Sequence, residues 1–193
     1  MAATSGSLYA QGNYDPLQVL TTTGVPNLIT ANTPLDFRSA VRPLSLDFAI
    51  GFATDEAAVP NAFLDSVTVS LESRQFPGLI GYYFVLDAFG LVKAPPTPGA
   101  IPLDASTISL TPMLFPTGLS TLAHQTAYRV LVPVPDSLAD QFNDLHLDLF
   151  DNGDALNSLA WASAVHVVPE PRGAMLLAVG LVVSVGWMRR IRR

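Results

Sequence analysis

Apolar and polar residues alternate with a period of two along much of the chain, a pattern typical of β-strands that bury one face. In residues 63–71, for example, Val67 and Val69 fall on one face while Thr68 and Ser70 fall on the other. Seven segments show this alternation or a short continuous apolar run. They are 44–50, 63–71, 79–86, 108–114, 127–134, 145–150 and 159–168. We therefore predict about seven strands.

Turn-forming residues separate these segments. Proline, glycine, asparagine and aspartate cluster at 77–78, 95–99, 116–118 and 151–154, where they favour turns and break strands. Short strands divided in this way predict an all-β domain over residues 16–167. Its architecture is expected to be an antiparallel β-sandwich of the jelly-roll or immunoglobulin-like type. Pro112 and Pro133 predict that their strands lie at sheet edges, because proline cannot donate to a ladder.

The last part of the chain, residues 168–193, has a different pattern. Sixteen uncharged, mostly apolar residues occupy 173–188, and four arginines follow within five positions. A helix of that length spans about 24 Å, short of the roughly 30 Å hydrocarbon core. Flanking arginines can snorkel and Trp187 can lie in the interface, which narrows this mismatch. We predict one transmembrane helix over 173–188; the alternative is a buried core helix with a basic end.

Just before this apolar stretch, two prolines predict an extended, unpaired segment whose one charged side chain is a glutamate. The segment, the apolar stretch and the basic end together resemble the PEP-CTERM sorting signal of Gram-negative bacteria. The matching residues are Val168, Pro169, Glu170 and Pro171, then 173–188, then Arg189, Arg190, Arg192 and Arg193. The resemblance covers only this tail, and Arg172 departs from it, since small or hydroxylated residues are more usual there.

This resemblance implies a substrate of exosortase, a membrane-embedded enzyme expected to cut near the motif. The protein would be anchored transiently in the inner membrane and then passed to the cell surface or the extracellular matrix. Such proteins often accompany exopolysaccharide production, which makes exopolysaccharide a candidate partner. The arginine cluster is expected to stay in the cytoplasm, so that the body lies outside.

Residues 1–15 do not fit this expectation of export. They contain neither a basic region nor an apolar core of 7–15 residues, as a signal peptide would. We interpret them as a disordered or truncated N-terminus. The alternative is a tail-anchored protein whose body stays inside, but that arrangement would carry four arginines across the membrane.

Charge is distributed unevenly between the body and the tail. Residues 1–168 contain five basic and fifteen acidic side chains, whereas 169–193 contain five basic and one acidic. An acidic body does not favour nucleic acid, which requires clustered lysine and arginine. An acidic body is suited to binding cations, or it keeps the protein soluble. The chain has no cysteine, which excludes disulfides and thiol chemistry.

The strongest local candidate for a site is an acidic run near residue 150. Asp148, Asp151, Asn152 and Asp154 surround Gly153, and calcium prefers such hard oxygen ligands. The run lacks the spacing of an EF-hand, and an ordinary hairpin turn has the same composition. Asp55 and Glu56 form a weaker version earlier in the chain. Apart from calcium, no cofactor is predicted.

Catalytic motifs do not appear in the sequence. Its three histidines, His124, His146 and His166, lack the spacing of a metal or catalytic site, and no G-x-S-x-G elbow occurs. Tyr82, Tyr83 and Trp161 would stack on sugars if exposed, but would otherwise fill a core.

We therefore expect a non-enzymatic, exported protein of the envelope or extracellular matrix. The alternative is a polysaccharide-binding module, with or without calcium. A secreted hydrolase is the third hypothesis, because a pair of catalytic carboxylates needs no fixed spacing in sequence.

Overall fold

A computed structural model describes residues 14–22, 24–38, 40, 42–59, 62, 64–93, 100–101 and 105–169. Across these residues the chain is all-β: it forms eleven strands and one 3-10 turn, Ala105–Thr107. The strands are β1 Pro16–Thr21, β2 Asn27–Asp36, β3 Leu44–Thr54, β4 Ser66–Ser73, β5 Ile80–Asp87, β6 Gly90–Lys93, β7 Ser109–Pro112, β8 His124–Pro133, β9 Phe142–Asp151, β10 Ser158–Ser163 and β11 His166–Pro169.

The strands form two antiparallel sheets. Sheet A has the order β1-β10-β3-β8-β7, and β11 pairs with the first part of β3 beside β10. Sheet B has the order β2-β9-β4-β5-β6. The first four strands alternate between the sheets, so each connection crosses from one layer to the other.

The main core lies between the two sheets, as in a β-sandwich. From β3, Leu46, Phe48, Ile50 and Phe52 face inward at every second position, as the period of two predicts. Sheet B contributes its own alternating apolar positions, which are Val67, Val69, Leu71, Phe84, Leu86, Leu145, Leu147 and Leu149. Each fully buried side chain of this size stabilises the fold by about 1.5–3 kcal/mol.

A second apolar cluster covers the outer face of sheet A. Trp161 lies there, 0% exposed, beside Ala49, Ala53, Ala127 and Leu159. The β7–β8 connection covers it with apolar side chains that include Phe115, whose ring meets the Trp161 indole edge-on at 6.1 Å. The outer face of β3 is therefore buried as well, although it carries small residues rather than large ones.

The two ends of the sandwich differ. At one end, here named the tail end, Leu44 of β3 pairs with Pro169 of β11. At the other, named the loop end, Thr54 of β3 pairs with His124 and with Ser158. The connections β1–β2, β3–β4 and β9–β10 meet at the loop end.

The predicted strands agree with the structure over the centre of each sheet and differ at the edges. Strands β1, β2 and β6 were not predicted; all three pair on one side only. The segment 159–168 divides into β10 and β11, because the chain leaves its ladder at residues 164–165. Pro112 lies on an edge strand as predicted. The prediction for Pro133 was wrong: β8 lies between β3 and β7, and Pro133 is tolerated as its last residue.

Several predictions concern residues outside the described part of the chain. These are the first thirteen residues of the predicted N-terminal segment 1–15, Glu170 and Pro171, the helix over 173–188 and the arginines that follow it. Within the described part, no helix has the length and apolar character needed to cross a membrane.

Candidate functional site

A cluster of acidic side chains lies at the loop end. Five residues, which we name the loop-end cluster, form it: Glu56 follows β3, Asp65 precedes β4, Asp151 ends β9, and Asn152 and Asp154 begin the β9–β10 loop. Strand pairing places these segments together although Asp65 and Asn152 are 87 positions apart in the sequence.

The β9–β10 loop owes its shape to its own side chains. Asp151 Oδ1 accepts a hydrogen bond from Gly153 N at 2.8 Å, Asn152 Oδ1 accepts from Asp154 N at 2.8 Å, and Asp154 Oδ1 accepts from Leu156 N at 2.7 Å. Each bond spans two residues, as in an Asx turn. Gly153 has φ +83° and packs so closely on Pro26 that a Cβ would lie 2.2 Å from its ring.

Hydrogen bonds join this loop to its neighbours. Glu56 Oε2 accepts from Asp65 N at 2.9 Å, and Asp65 Oδ1 accepts from Asn152 N at 2.8 Å. Asp151 Oδ2 accepts from Gly24 N in the β1–β2 loop at 2.9 Å. The amide of Asn152 completes the network, because its Nδ2 donates to Glu56 Oε1 at 3.0 Å and to Asp154 Oδ2 at 3.3 Å. Three connections are thus fixed relative to one another.

Burial controls the electrostatics of this cluster. Glu56 is 1% exposed and Asp65 is 0% exposed. Burial raises the pKa of Glu56 from 4.5 to about 7, and the carboxyl groups of Asp65 and Asp154 act in the same direction, against the Asp65 N–H. Burial likewise raises the pKa of Asp65, against the hydrogen bond from Asn152 N and the nearby Ser158 hydroxyl. Both shifts indicate that negative charge is costly here.

One carboxylate oxygen in the cluster is left without a donor. Asp65 Oδ2 is buried and has no hydrogen-bond partner among the described residues. The Ser158 hydroxyl beside it donates instead to Thr54 Oγ1 at 2.8 Å. Within the described ranges, no three histidine, aspartate or glutamate side chains are already arranged as a metal centre.

An open cleft of about 340 Å³ adjoins the cluster through Ser158. Most of its lining is hydroxyl or amide side chains, namely Thr21, Thr22, Ser120, Thr121, Asn157 and Ser158. Leu119, Leu122 and Leu159 supply apolar surface. None of these side chains is charged, so the cleft suits a neutral, hydroxylated ligand.

The structure brings together three of the four residues predicted to bind calcium. Asp148 is separate from the cluster. It lies three positions before Asp151 on β9, and therefore on the opposite face of the sheet. Its side chain accepts a 2.6 Å hydrogen bond from Thr30 Oγ1. Glu56, which the sequence indicated only weakly, belongs to the cluster. Asp65 was missed because it lies inside the predicted strand segment 63–71, whereas β4 begins only at Ser66. A charged residue within that otherwise uncharged segment is the signal that could have indicated it.

The remaining candidates are dispersed. His124 begins β8 and is exposed; His146 on β9 has its Nε2 3.5 Å from Glu72 Oε2; His166 begins β11 and is exposed. Tyr83 and Trp161 are buried, at 1% and 0% exposed. They fill the core and cannot form a sugar-stacking platform.

Comparisons with known proteins add no functional assignment. The chain matches no protein-family model, no curated protein and no solved structure.

Proposed function

We propose that the chain is a non-enzymatic, exported β-sandwich protein, delivered to the cell surface or extracellular matrix by a C-terminal sorting tail that exosortase processes. The observation that carries the proposal is the position of Pro169. This residue is the last of β11, where it pairs with Leu44, and it is also the first proline of the sorting motif. The folded body thus continues directly into Glu170.

This continuity supports a role for the tail as a tether. The tail leaves the body at the tail end, so an anchored protein would direct its loop end away from the inner membrane. Two prolines in the motif favour an extended backbone on sequence grounds, and an extended segment is what an enzyme's groove would bind. The proposed helix over 173–188 and its arginines would hold the protein until cleavage.

We further propose that the sandwich is a jelly roll rather than immunoglobulin-like. Without β6, β7 and β11, the sheets have the orders β1-β10-β3-β8 and β2-β9-β4-β5. Alternation of the first four strands between two four-stranded layers supports the double Greek key of a jelly roll. An immunoglobulin-like fold would instead place its first two strands in the same sheet.

Replacing Glu170 by alanine is expected to stop surface delivery, because it removes the only charged group in the motif. The test expresses the full chain behind a secretion signal in a Gram-negative host with exosortase and measures its fractionation. We expect wild-type protein in the surface and medium fractions and Glu170→Ala in the inner membrane. Deletion of residues 172–193 should remove the membrane anchor, so that the protein is neither retained in the inner membrane nor delivered to the surface.

Arg172→Ser is the matched control for this experiment. It changes a charged residue next to the motif to the type more usual there, so delivery should be retained. The proposal would be contradicted if Glu170→Ala reached the surface as the wild type does, or if delivery were unchanged in a strain without exosortase.

A second candidate function, polysaccharide binding, is favoured by the cleft at the loop end. Its uncharged hydroxyl and amide side chains can exchange hydrogen bonds with sugar hydroxyls, and its leucines can cover the apolar faces of a sugar ring. A glycan array with and without calcium tests this candidate. Binding should be lost in Asn157→Ala; no signal on any glycan in either condition would argue against it.

A further inference from the structure

We propose that the loop-end cluster binds one calcium ion through the carboxylates of Glu56, Asp65 and Asp154, with the side-chain oxygen of Asn152 as a further ligand. The site belongs to the β-sandwich and does not depend on the sorting tail. It differs from the prediction made from sequence by the exclusion of Asp148 and Asp151 and the addition of Glu56 and Asp65 from the β3–β4 connection. Both carboxylate oxygens of Asp151 already accept hydrogen bonds, from Gly24 N and Gly153 N.

The first observation is acidic charge without a basic counter-charge. Glu56 and Asp65 are 1% and 0% exposed, and Glu56 accepts a hydrogen bond from Asp65 N. The Asn152 amide links Glu56 to Asp154. The four arginines whose side chains the structure describes pair elsewhere: Arg38 with Asp36, Arg42 with Asp140, Arg74 with Asp144 and Arg129 with Asp47. Buried carboxylates are costly unless they are paired or bind a metal, so a cation would stabilise this arrangement.

The second observation is the buried oxygen of Asp65. Its Oδ1 accepts a hydrogen bond from Asn152 N at 2.8 Å, which holds the carboxylate within the cluster. Its Oδ2 is 0% exposed with the rest of the residue and receives no hydrogen bond from the described residues. A buried acceptor of this kind is rare in a folded protein, and it points to a ligand that binds the oxygen directly.

The amide of Asn152 marks where the ion would lie. Its Nδ2 stands between Glu56 Oε1 and Asp154 Oδ2, at 3.0 and 3.3 Å. This neutral donor therefore bridges the two carboxyl groups. Rotation of the amide would present Oδ1 to an ion. It would give up the hydrogen bond from Asp154 N and the two that Nδ2 donates to Glu56 and Asp154, and the ion would replace those two.

The ligand chemistry favours calcium over other cations. The cluster offers only oxygen ligands, whereas zinc prefers nitrogen and sulfur. Calcium accepts six to eight oxygens in flexible geometry, while magnesium demands a near-ideal octahedron and keeps several waters. Ligands that come from irregular connections between strands match calcium better.

The test uses the purified full chain in detergent, freed of metal with a chelator. Isothermal titration with calcium chloride should give one ion per chain, and calcium should raise the melting temperature measured by circular dichroism. Extracellular calcium modules bind at about 10⁻⁴–10⁻³ M, so the titration extends to several millimolar. Magnesium at the same concentration should raise the melting temperature much less.

Asp65→Asn should abolish the rise in melting temperature with calcium, because the amide removes the charge of the unpartnered carboxylate. Asp148→Asn is the matched control, since it makes the same substitution outside the cluster and should keep the full rise. If Asp65→Asn does not fold, Glu56→Gln provides the same comparison.

The proposal is overturned if millimolar calcium gives neither heat nor a rise in melting temperature with the wild-type chain. It is also overturned if the Asp65 and Glu56 variants respond to calcium as the wild type does, or if Asp148→Asn alone loses the response. None of these outcomes concerns delivery to the surface, so they leave the sorting proposal unaffected.

Discussion

Trp161→Ala is expected to lower the free energy of unfolding by about 3–5 kcal/mol, as is usual for loss of a large buried aromatic side chain. Trp161 is 0% exposed and holds the outer face of sheet A against the β7–β8 connection. It lies so close to Gly51 of β3 that a Cβ there would come within 2.2 Å of Nε1. Removal of the indole is therefore expected to leave a cavity against Gly51.

Denaturant unfolding followed by circular dichroism measures this effect. Leu114→Ala is the control, because Leu114 is 91% exposed in the same connection and should change stability by less than about 0.5 kcal/mol. Trp161→Phe should cost less than Trp161→Ala, since Nε1 has no hydrogen-bond partner among the described residues. A loss below about 1 kcal/mol for Trp161→Ala would mean that the second apolar cluster is not packed as described.

The second large effect is a loss of stability as the pH rises from about 4.5 to 7 in the absence of metal. The folded protein holds a proton on Glu56 up to a pKa of about 7, whereas the unfolded chain releases it near 4.5. A folded pKa above the unfolded one stabilises the protein fully below pH 4.5, and this contribution disappears as the pH rises through 7. At about 1.4 kcal/mol per pH unit, the loss is expected to reach about 1–3 kcal/mol.

Urea unfolding at pH 5 and pH 8, with a chelator present, tests this dependence. Glu56→Gln should reduce the difference between the two pH values, because glutamine does not titrate. Asp148→Asn should leave the difference unchanged. A wild-type protein that is as stable at pH 8 as at pH 5, or a Glu56→Gln variant with the full difference, would contradict the electrostatics described for the loop-end cluster.

The central strands could be predicted from the sequence because each shows either alternating apolar residues, as β3, β4 and β9 do, or a short continuous apolar run, as β5 and β10 do. The edge strand β2 shows why others could not. It pairs only with β9, its ten residues include Asn27, Asn32 and Pro34, and only Leu35 is fully buried. An edge strand needs little apolar surface and tolerates proline, so alternation gives no strong signal there.

The loop-end cluster could likewise be predicted only in part. The composition of residues 151–154 indicated a turn with oxygen ligands, and that local chemistry was visible in the sequence. Asp65 comes from a different connection, and only the pairing of β4 with β9 brings it to Asn152. Asp148 was included because it is near in sequence, although strand alternation places it on the other face from Asp151.

The two ends of the sandwich have separate roles in this account. The tail end leads into the sorting motif through Pro169, and the loop end carries the acidic cluster and the cleft. Delivery and binding can therefore be tested independently, since substitutions at Glu170 and at Asp65 act at opposite ends of β3 and its partners.

Mass spectrometry of the C-terminus of surface-released protein tests the sorting proposal most directly. The account predicts a mature chain that ends close to residues 168–172 and lacks the apolar stretch 173–188. A released protein that still ends at Arg193 would contradict it.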